Sequence, residues 1–574
     1  MRKRIRRRPL LRDPAELPAH LPAVVRRVYA ARAVAPDELE CSLARLHPGE
    51  SLSGLKPAVE LLEAALAERL RILVIGDFDA DGATSSALAV RALRAFGHAD
   101  VDYLVPNRFE YGYGLTPEIV ELARERQPDL LITVDNGISS IAGTAAAKAA
   151  GMRVLITDHH LPGDTLPAAD AIVNPNMHGD DFPSKHLAGV GVIFYVMLAL
   201  RARLREKDWF RSAGIPEPNM AELLDLVALG TVADVVVLDF NNRILIDQGI
   251  RRIRAGRCCP GILALLQDSG RDPARLVAAD LGFAVGPRLN AAGRLEDMSL
   301  GIACLLSDDP DQAAAMAAQL GELNQQRRKI EGVMQEEALT LLSRLEQNEA
   351  GLPPGLCLMD PGWHQGVIGI LAGRIKDRFY RPVIAFAPAG EGELKGSARS
   401  IQGLHIRDLL ERIATRNPGL IAKFGGHAMA AGLSLAADDF PRFEAAFAAA
   451  VAEELSDEML ARELLTDGEL APDEYDLRIA EALRDAGPWG QGFPEPLFDG
   501  LFEISQNRIV GGRHVKLTMQ QPNGGRWLDA IAFNGVEYGW HELRQAVRLA
   551  YRLDVNEFRG RRSVQLLVEY MEPA

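Results

Sequence analysis

From Arg71 onward the chain alternates between two hydrophobic rhythms. Short runs dominated by Val, Ile and Leu (RILVIG, VDYLVP, DLLITVD, RVLITD, AIVNP) are separated by Ala- and Leu-rich stretches such as SSALAVRALRAFG and IAGTAAAKAAG, whose apolar positions recur at helical spacing. Uninterrupted apolar runs bounded by polar turns suit strands buried on both faces, and their alternation with helices predicts a mostly parallel sheet. Leu223 to Gly256 reads as mainly helical, with a loop around Asp234 to Asn242, and this first large domain is expected to end near Leu306.

A different period follows. After Asp308, Asp309 and Pro310, which have the character of a helix start, apolar residues recur at Met316, Leu320, Leu323, Ile330, Met334, Leu341 and Leu345. Spacing of mostly three or four predicts one long helix, which Asn348, Gly351 and Pro353 bring to an end. Leu356 to about Leu455 then reads as a smaller α/β unit: strand, helix, two strands, helix, the segment FGGHAMAAGLSL and a closing helix. The remaining runs LFEISQNRIV, HVKLTMQQ, WLDAIAFN, VRLAYRLDVNEF and RSVQLLVEYM predict a five-stranded barrel such as an OB-fold. The expected division is an N-terminal extension (1–50), a parallel-sheet α/β domain (51–306), a connecting helix (307–350), a second α/β domain (351–456) and the barrel domain (457–574).

Composition narrows the class without choosing a function. At 574 residues the chain exceeds a single core, and 48% hydrophobic with 25% charged residues is an ordinary globular balance. A net charge of -14 argues against a protein that coats nucleic acid indiscriminately, while leaving room for a local basic channel. The basic start MRKRIRRRPLLR reads as a solvated, frayed terminus rather than a nucleic-acid arm. Five cysteines without C-x-x-C spacing suggest neither a disulfide framework nor a zinc site and fit a reducing cytoplasm. The most apolar stretch, Gly189 to Leu200, is short of the roughly 20 residues that span a bilayer. A cytoplasmic protein with no membrane contact is expected.

The chemistry concentrates where strands end. In RILVIGDFDADGATSS an apolar strand runs into Asp77, Asp79 and Asp81, two apart, so in extended backbone the carboxylates project to one side, and Gly82 is expected to allow the turn into a helix. Two more strands end on acids, at Asp135 and Asp158, and ligands of open α/β sheets bind beyond the carboxyl ends of the strands. His159 and His160 add imidazole. Singly, each piece has an ordinary explanation as a calcium-loop start, a helix cap or a surface histidine. Together they point to a divalent-metal site with mixed oxygen and nitrogen donors, suited to manganese or magnesium.

These motifs, D-F-D-A-D-G at 77–82, T-V-D-N-G at 133–137, D-H-H at 158–160 and T-V-A-D-V-V-V-L-D at 231–239, resemble those of the DHH phosphoesterase family. The resemblance implies two manganese or magnesium ions about one bridging carboxylate, matched by Asp135. It implies that Asp79, with Asp77 nearby, holds one ion and that Asp81, His159 and Asp234 hold the other. Asp158 would orient His159, and His160 would touch the scissile phosphate.

Substrate contacts are expected from Arg288, Asn290 and Arg294 in GPRLNAAGRL, and from Gly366 at a helix start. Ser397, Arg399 and Ser400 in GSARS, and Gly425, Gly426 and His427 in GGH, resemble the family's associated substrate domain. Matches from Ile75 through the second α/β domain, with GPWGQGFPEP at 487–496, resemble the family's single-strand DNA exonucleases. That resemblance implies 5′-to-3′ release of mononucleotides in recombination and repair, by a monomer working with a single-strand-binding protein and a helicase. Phe558, Arg559, Arg561 and Arg562 are candidate strand contacts in the tail. A small-nucleotide or cyclic-dinucleotide phosphodiesterase and a nonenzymatic DNA-binding scaffold are the competing readings.

Overall fold

The apolar runs of the first domain become five parallel strands: β1 (Ile72–Gly76), β2 (Val101–Leu104), β3 (Leu130–Val134), β4 (Arg153–Thr157) and β5 (Ala171–Val173). The computed structural model describes residues 3–107, 111, 114–346, 352–390, 392–522, 524–558 and 560–574. Their order in the sheet is β2-β1-β3-β4-β5, so the direction of winding reverses between β1 and β3. Ile72 and Val74 of β1 enter one hydrophobic cluster while Leu73 and Ile75 enter another, so alternate side chains face helices on both sides of the sheet. The crevice at such a reversal, beyond the carboxyl ends of the strands, is where α/β sheets bind ligands.

Five helices shape that crevice. They are α1 (Ala80–Ala95), α2 (Gly189–Glu206), α3 (Leu224–Ala233), α4 (Phe240–Arg254) and α5 (Gly286–Leu295). Asp79 caps α1, its Oδ1 accepting from the N–H groups of Asp81 and Gly82 at 2.9 and 3.0 Å. The role expected of Gly82 is corrected: it lies within α1, where an added Cβ would meet backbone atoms of Asp77 at 2.5 to 2.7 Å. Close approach, rather than a special turn, requires glycine there.

The long helix α6 (Pro310–Glu346) follows the predicted spacing, while Asn348 and Gly351, expected to help end it, lie outside the described residues. The chain divides into two compact units, one of Arg7–Asn324 with Thr466–Ala574, the other of Gln325–Leu465 with the residues up to Arg6. In the first unit Ala313, Ala317, Leu320 and Leu323 of α6 join the main core; in the second, Met334, Ala338 and Leu342 do so with Trp363, Val367 and Leu371.

The second unit has a sheet of β6 (Leu356–Met359), β7 (Val383–Pro388), β8 (Glu393–Arg399), β9 (Lys423–Gly426) and β10 (Ala430–Ala436) in the order β9-β10-β8-β7-β6. Helix α7 (Ile368–Phe379) packs on it. The tail, in the first unit, closes as a barrel of β11 (Phe498–Val510), β12 (His514–Gln520), β13 (Leu528–Ala532), β14 (Ala546–Phe558) and β15 (Arg561–Pro573), ordered β11-β12-β13-β15-β14. Closure removes free sheet edges.

The basic start of the chain is not a frayed terminus. Within the first unit, Arg7 pairs with buried Asp499 at 3.2 Å and with Glu469 at 2.5 Å, and the Arg8 N–H donates to the Thr466 carbonyl. Within the second, the Arg4 N–H donates to the Arg462 carbonyl and Arg6 pairs with Glu463. Among the described residues, no helix is long and apolar enough to cross a membrane.

Candidate metal centre

Asp77, Asp79, Asp81, Asp135, His159, His160 and Asp234 lie around the β1/β3 crevice. Three overlapping groups have donor atoms within 4.8 Å of one another: Asp77, Asp79 and Asp135; Asp81, His159 and Asp234; Asp135, His159 and His160. Asp135 thus belongs to an all-carboxylate group and also to one with imidazole nitrogens. It sits just past β3 in the left-handed region, at φ 61°, and is buried. Asn and Asp are the side chains that tolerate this conformation best, so the strain is modest and the carboxylate is turned into the crevice by backbone shape.

Close backbone approach walls the centre. A Cβ on Gly189 would lie 2.5 Å from the Asp135 Cβ, and one on Gly230 would lie 2.8 Å from the Asp81 Oδ1. Gly189 also starts α2, and its N–H and that of Val190 donate to the two oxygens of Asp81 at 2.6 and 3.0 Å. The positive end of α2 therefore faces a buried carboxylate. Even so, burial, then repulsion from Asp234 and Asp79, pushes the Asp81 carboxyl well above its ordinary range. Burial followed by repulsion from Asp81 and Asp79 does the same to Asp135. Asp234 is raised mainly by burial. It caps the C-terminal end of α3, ahead of Val235 at φ 62°, a strained value for a β-branched residue.

The two histidines are set apart electrically. His159 is half-buried, and desolvation lowers its affinity for a proton and keeps the ring neutral. Its Nε2 lies 3.1 Å from Asp135 Oδ1 and 3.5 Å from Asp234 Oδ2, and within the described residues it makes no hydrogen bond of good geometry. Donors near one another but misaligned for hydrogen bonding are what ligands directed at a common ion look like. For His160, burial opposes a charge, but the hydrogen bond and charge of Asp158 prevail and raise it to about 9. Asp158 Oδ1 is 2.7 Å from the His160 Nδ1 and accepts from the N–H groups of both histidines, while Oδ2 accepts from the Ile138 N–H. The expectation that Asp158 orients His159 is therefore corrected: the ring it holds is that of His160.

Comparison with known proteins places this geometry. The DHH family N-terminal domain matches residues 71–231, the DHHA1 domain 353–453 and the RecJ OB domain 466–570. The single-stranded-DNA-specific exonuclease RecJ of Escherichia coli K12 is 58% identical over 564 residues, covering 98% of both chains. That of Dickeya dadantii is 60% identical over 571 residues, covering 99% of both. The chain belongs to the RecJ family. The crystal structure of RecJ from Thermus thermophilus in complex with Mn2+ shares the fold at a TM-score of 0.83 and 32% identity, over all of this chain and 80% of that one. The same protein with Mg2+ gives 0.77.

Other expected residues of this RecJ-family chain are placed less uniformly. Asn290 reaches the centre, but its Oδ1 accepts the Ala80 N–H at 2.7 Å and so clamps the start of α1. Arg288 is committed to Asp268 Oδ2 and the Ala284 carbonyl, both at 2.7 Å, which corrects its expected availability for a phosphate. Arg294 is half-buried in the last turn of α5.

In the second unit Gly366 does not start the helix: α7 begins at Ile368, and the Gly366 N–H donates to His364 Nδ1 at 3.1 Å. Arg399 donates to Ser397 Oγ and to the Ala398 carbonyl, and its guanidinium packs against Gly369 in the first turn of α7, where an added Cβ would lie 3.0 Å from Nη2. No carboxylate pairs with it among the described residues, and burial lowers its affinity for a proton. Ser400 is buried and donates to the Leu404 carbonyl, a loop-closing contact rather than a substrate one. Gly425 and Gly426 end β9, and the His427 N–H donates to the Ala430 carbonyl to close a hairpin.

In the tail, Arg562 pairs with Glu481 and Arg561 starts β15; Arg559 and the side chain of Phe558 lie outside the described residues. Pattern reasoning missed Gly189 and Gly230, because close approach to a carboxylate leaves no trace in local sequence.

Proposed function

We propose that this chain hydrolyses phosphodiester bonds of single-stranded DNA from the 5′ end, releasing mononucleotides. The observation that carries the reading is the convergence on Asp135 of a carboxylate group and a carboxylate–imidazole group. Support comes also from relatives named single-stranded-DNA-specific exonucleases, similar along nearly the whole chain.

The donor set fits divalent cations. Burial first, and then repulsion from neighbouring carboxylates, raises the proton affinity of Asp81 and Asp135, while desolvation chiefly raises that of half-buried Asp234, and one charged imidazole does not balance them. Asp77 and Asp79 would hold one ion, Asp81, His159 and Asp234 the other, with Asp135 shared. Such ions supply a nucleophile at neutral pH and counter-charge for the phosphate. The chain's own groups do the rest. Neutral His159 offers a lone pair. Charged His160, its Nδ1 fixed by Asp158, presents Nε2 as a donor to a phosphate oxygen.

Arg399, a half-buried cation beside the first turn of α7, is suited to a substrate phosphate, and the barrel to a strand passing over it. The substrate is DNA processed in recombination and repair, and the setting a cytoplasm that keeps all five cysteines free.

The test is an oligonucleotide labelled at either end, incubated with manganese or magnesium. Early release of the 5′ label as a mononucleotide is expected; equal release from both ends, or none, would overturn the reading. Arg399→Ala is expected to raise KM for the oligonucleotide roughly 10- to 100-fold, the worth of one charge-assisted hydrogen bond, with kcat little changed. An unchanged KM would separate Arg399 from the substrate.

A further inference from the structure

The segment GPWGQGFPEP at 487–496 has no part in the metal centre or the barrel wall, yet its contacts are specific. Trp489 and Phe493 stack at 4.9 Å, and the Gly490 and Phe493 backbones exchange hydrogen bonds of 2.9 and 3.1 Å, forming a tight turn. The far side of this turn touches the loop that carries Asp234. The Leu238 N–H donates to the Gln491 carbonyl at 2.8 Å. A Cβ on Gly492 would lie 2.6 Å from Val237 Cγ1, and one on Gly490 would lie 2.7 Å from Leu238 Cδ1.

Phe493 continues the contact beneath the loop, with its ring 4.4 Å from the guanidinium of Arg243 on α4. From α4, Asn242 Nδ2 donates to the Val237 carbonyl at 3.0 Å. Residues 235 to 238 are therefore held by two elements, the 490–493 turn and α4, immediately after the Asp234 carboxylate and starting at the strained Val235.

We infer that the Gly490–Phe493 turn is a positioning element for Asp234, through which the C-terminal segment sets the affinity of the Asp81, His159 and Asp234 group for its cation. This rests on the proposed role of Asp234 as a ligand. The physical reason is that Asp234 ends a helix rather than a strand, so no sheet ladder fixes the chain beyond it. The turn does so instead, as outer contacts do for other metal ligands. The C-terminal segment then has two separable effects: the barrel acts on DNA, while the turn acts on metal.

The experiment is calorimetric titration of the metal-free full chain with manganese, beside steady-state kinetics on a single-stranded oligonucleotide. Gly492→Ala drives a methyl into Val237. It is expected to weaken one of two manganese binding events about tenfold or more, and to raise the manganese concentration needed for half-maximal rate, without changing KM for DNA at saturating metal. Two companions isolate the cause. Gly539→Ala places alanine at the same φ of 71° with nothing within 4 Å, so it carries the backbone strain without the push and should bind manganese as wild type does. Val237→Ala added to Gly492→Ala makes room for the methyl and should restore much of the lost affinity.

Wild-type manganese affinity in Gly492→Ala, an equal loss in Gly539→Ala, or no rescue by Val237→Ala each overturns the inference while leaving the role of Asp234 intact. Asp234→Ala, included in the same series, should lose the same binding event. If it binds manganese as wild type does, the ligand role fails and the inference with it.

Discussion

Asp135→Asn is expected to lower exonuclease activity on the order of a thousandfold and, in the absence of metal, to make the protein more stable. The loss follows from its place in both donor groups: an amide shared between them offers one neutral oxygen where a carboxylate offered two charged ones. Several kcal/mol of charge stabilisation rest on such a site, and at 1.36 kcal/mol per decade the rate should fall on the order of a thousandfold. Cleavage within about tenfold of wild type would remove the bridging role.

The gain in stability has a separate origin. Asparagine keeps the shape that fits against Gly189 and accepts the left-handed backbone at φ 61°. It also removes a carboxyl whose proton affinity is raised by burial and by Asp81 and Asp79. A folded-state pKa above the unfolded one means that the native protein binds the extra proton. The penalty is then absent below the unfolded value, grows as pH rises from the unfolded value towards the folded one and is complete above the folded one. Metal-free Asp135→Asn should therefore melt above metal-free wild type at about pH 8, with the gap closing toward pH 5. Manganese should reverse the order, since the ions bind the native wild type more strongly. Differential scanning with and without chelator reads both effects.

The sequence carried the sheet because its signals are local. A run such as LLITV, short, rich in β-branched residues and bounded by polar ones, suits a buried strand, and the acid that follows it marks the carboxyl end. Asp77, Asp79, Asp81 and Asp135 were legible for that reason. Asp234 was not, since it ends a helix and becomes interesting only through resemblance and then through its 3.5 Å approach to His159. The resemblance pairs Asp158 with His159, and nothing in the local sequence says which of two neighbouring rings its oxygen meets. Arg288 and Ser400 looked like substrate contacts because donors in glycine-rich segments invite that reading, while their partners, Asp268 and the Leu404 carbonyl, are settled only by packing. The basic start of the chain was misread in the opposite direction, its acidic partners lying more than four hundred residues away.

His160→Gln is expected to lower kcat by about 10²- to 10³-fold, the usual effect of losing one donor to a developing phosphate charge. Glutamine retains a hydrogen-bonding side chain but not the positive charge, so KM should change less than kcat. Asp158→Asn tests whether the charge, rather than the ring, matters. In the metal-free protein Asp158, helped by Asp234 and Asp77, holds the His160 proton up to about 9, and Asp158 still raises it when ions occupy the centre. A raised pKa means that the charged form is complete below the ordinary value near 6.5 and is lost as pH passes the raised one. The kcat profile of the wild type, measured with magnesium, should therefore hold through neutral pH and decline only in the alkaline range. In Asp158→Asn the carboxylate that offsets the cost of burial is gone, so the decline should begin at a lower pH. The pH-independent rate should also fall about 10- to 100-fold as the ring loses its fixed orientation. If both proteins share one alkaline limb, the proton on His160 has no part in the chemistry, and Asp158 serves only to tie the two histidines to the Ile138 backbone.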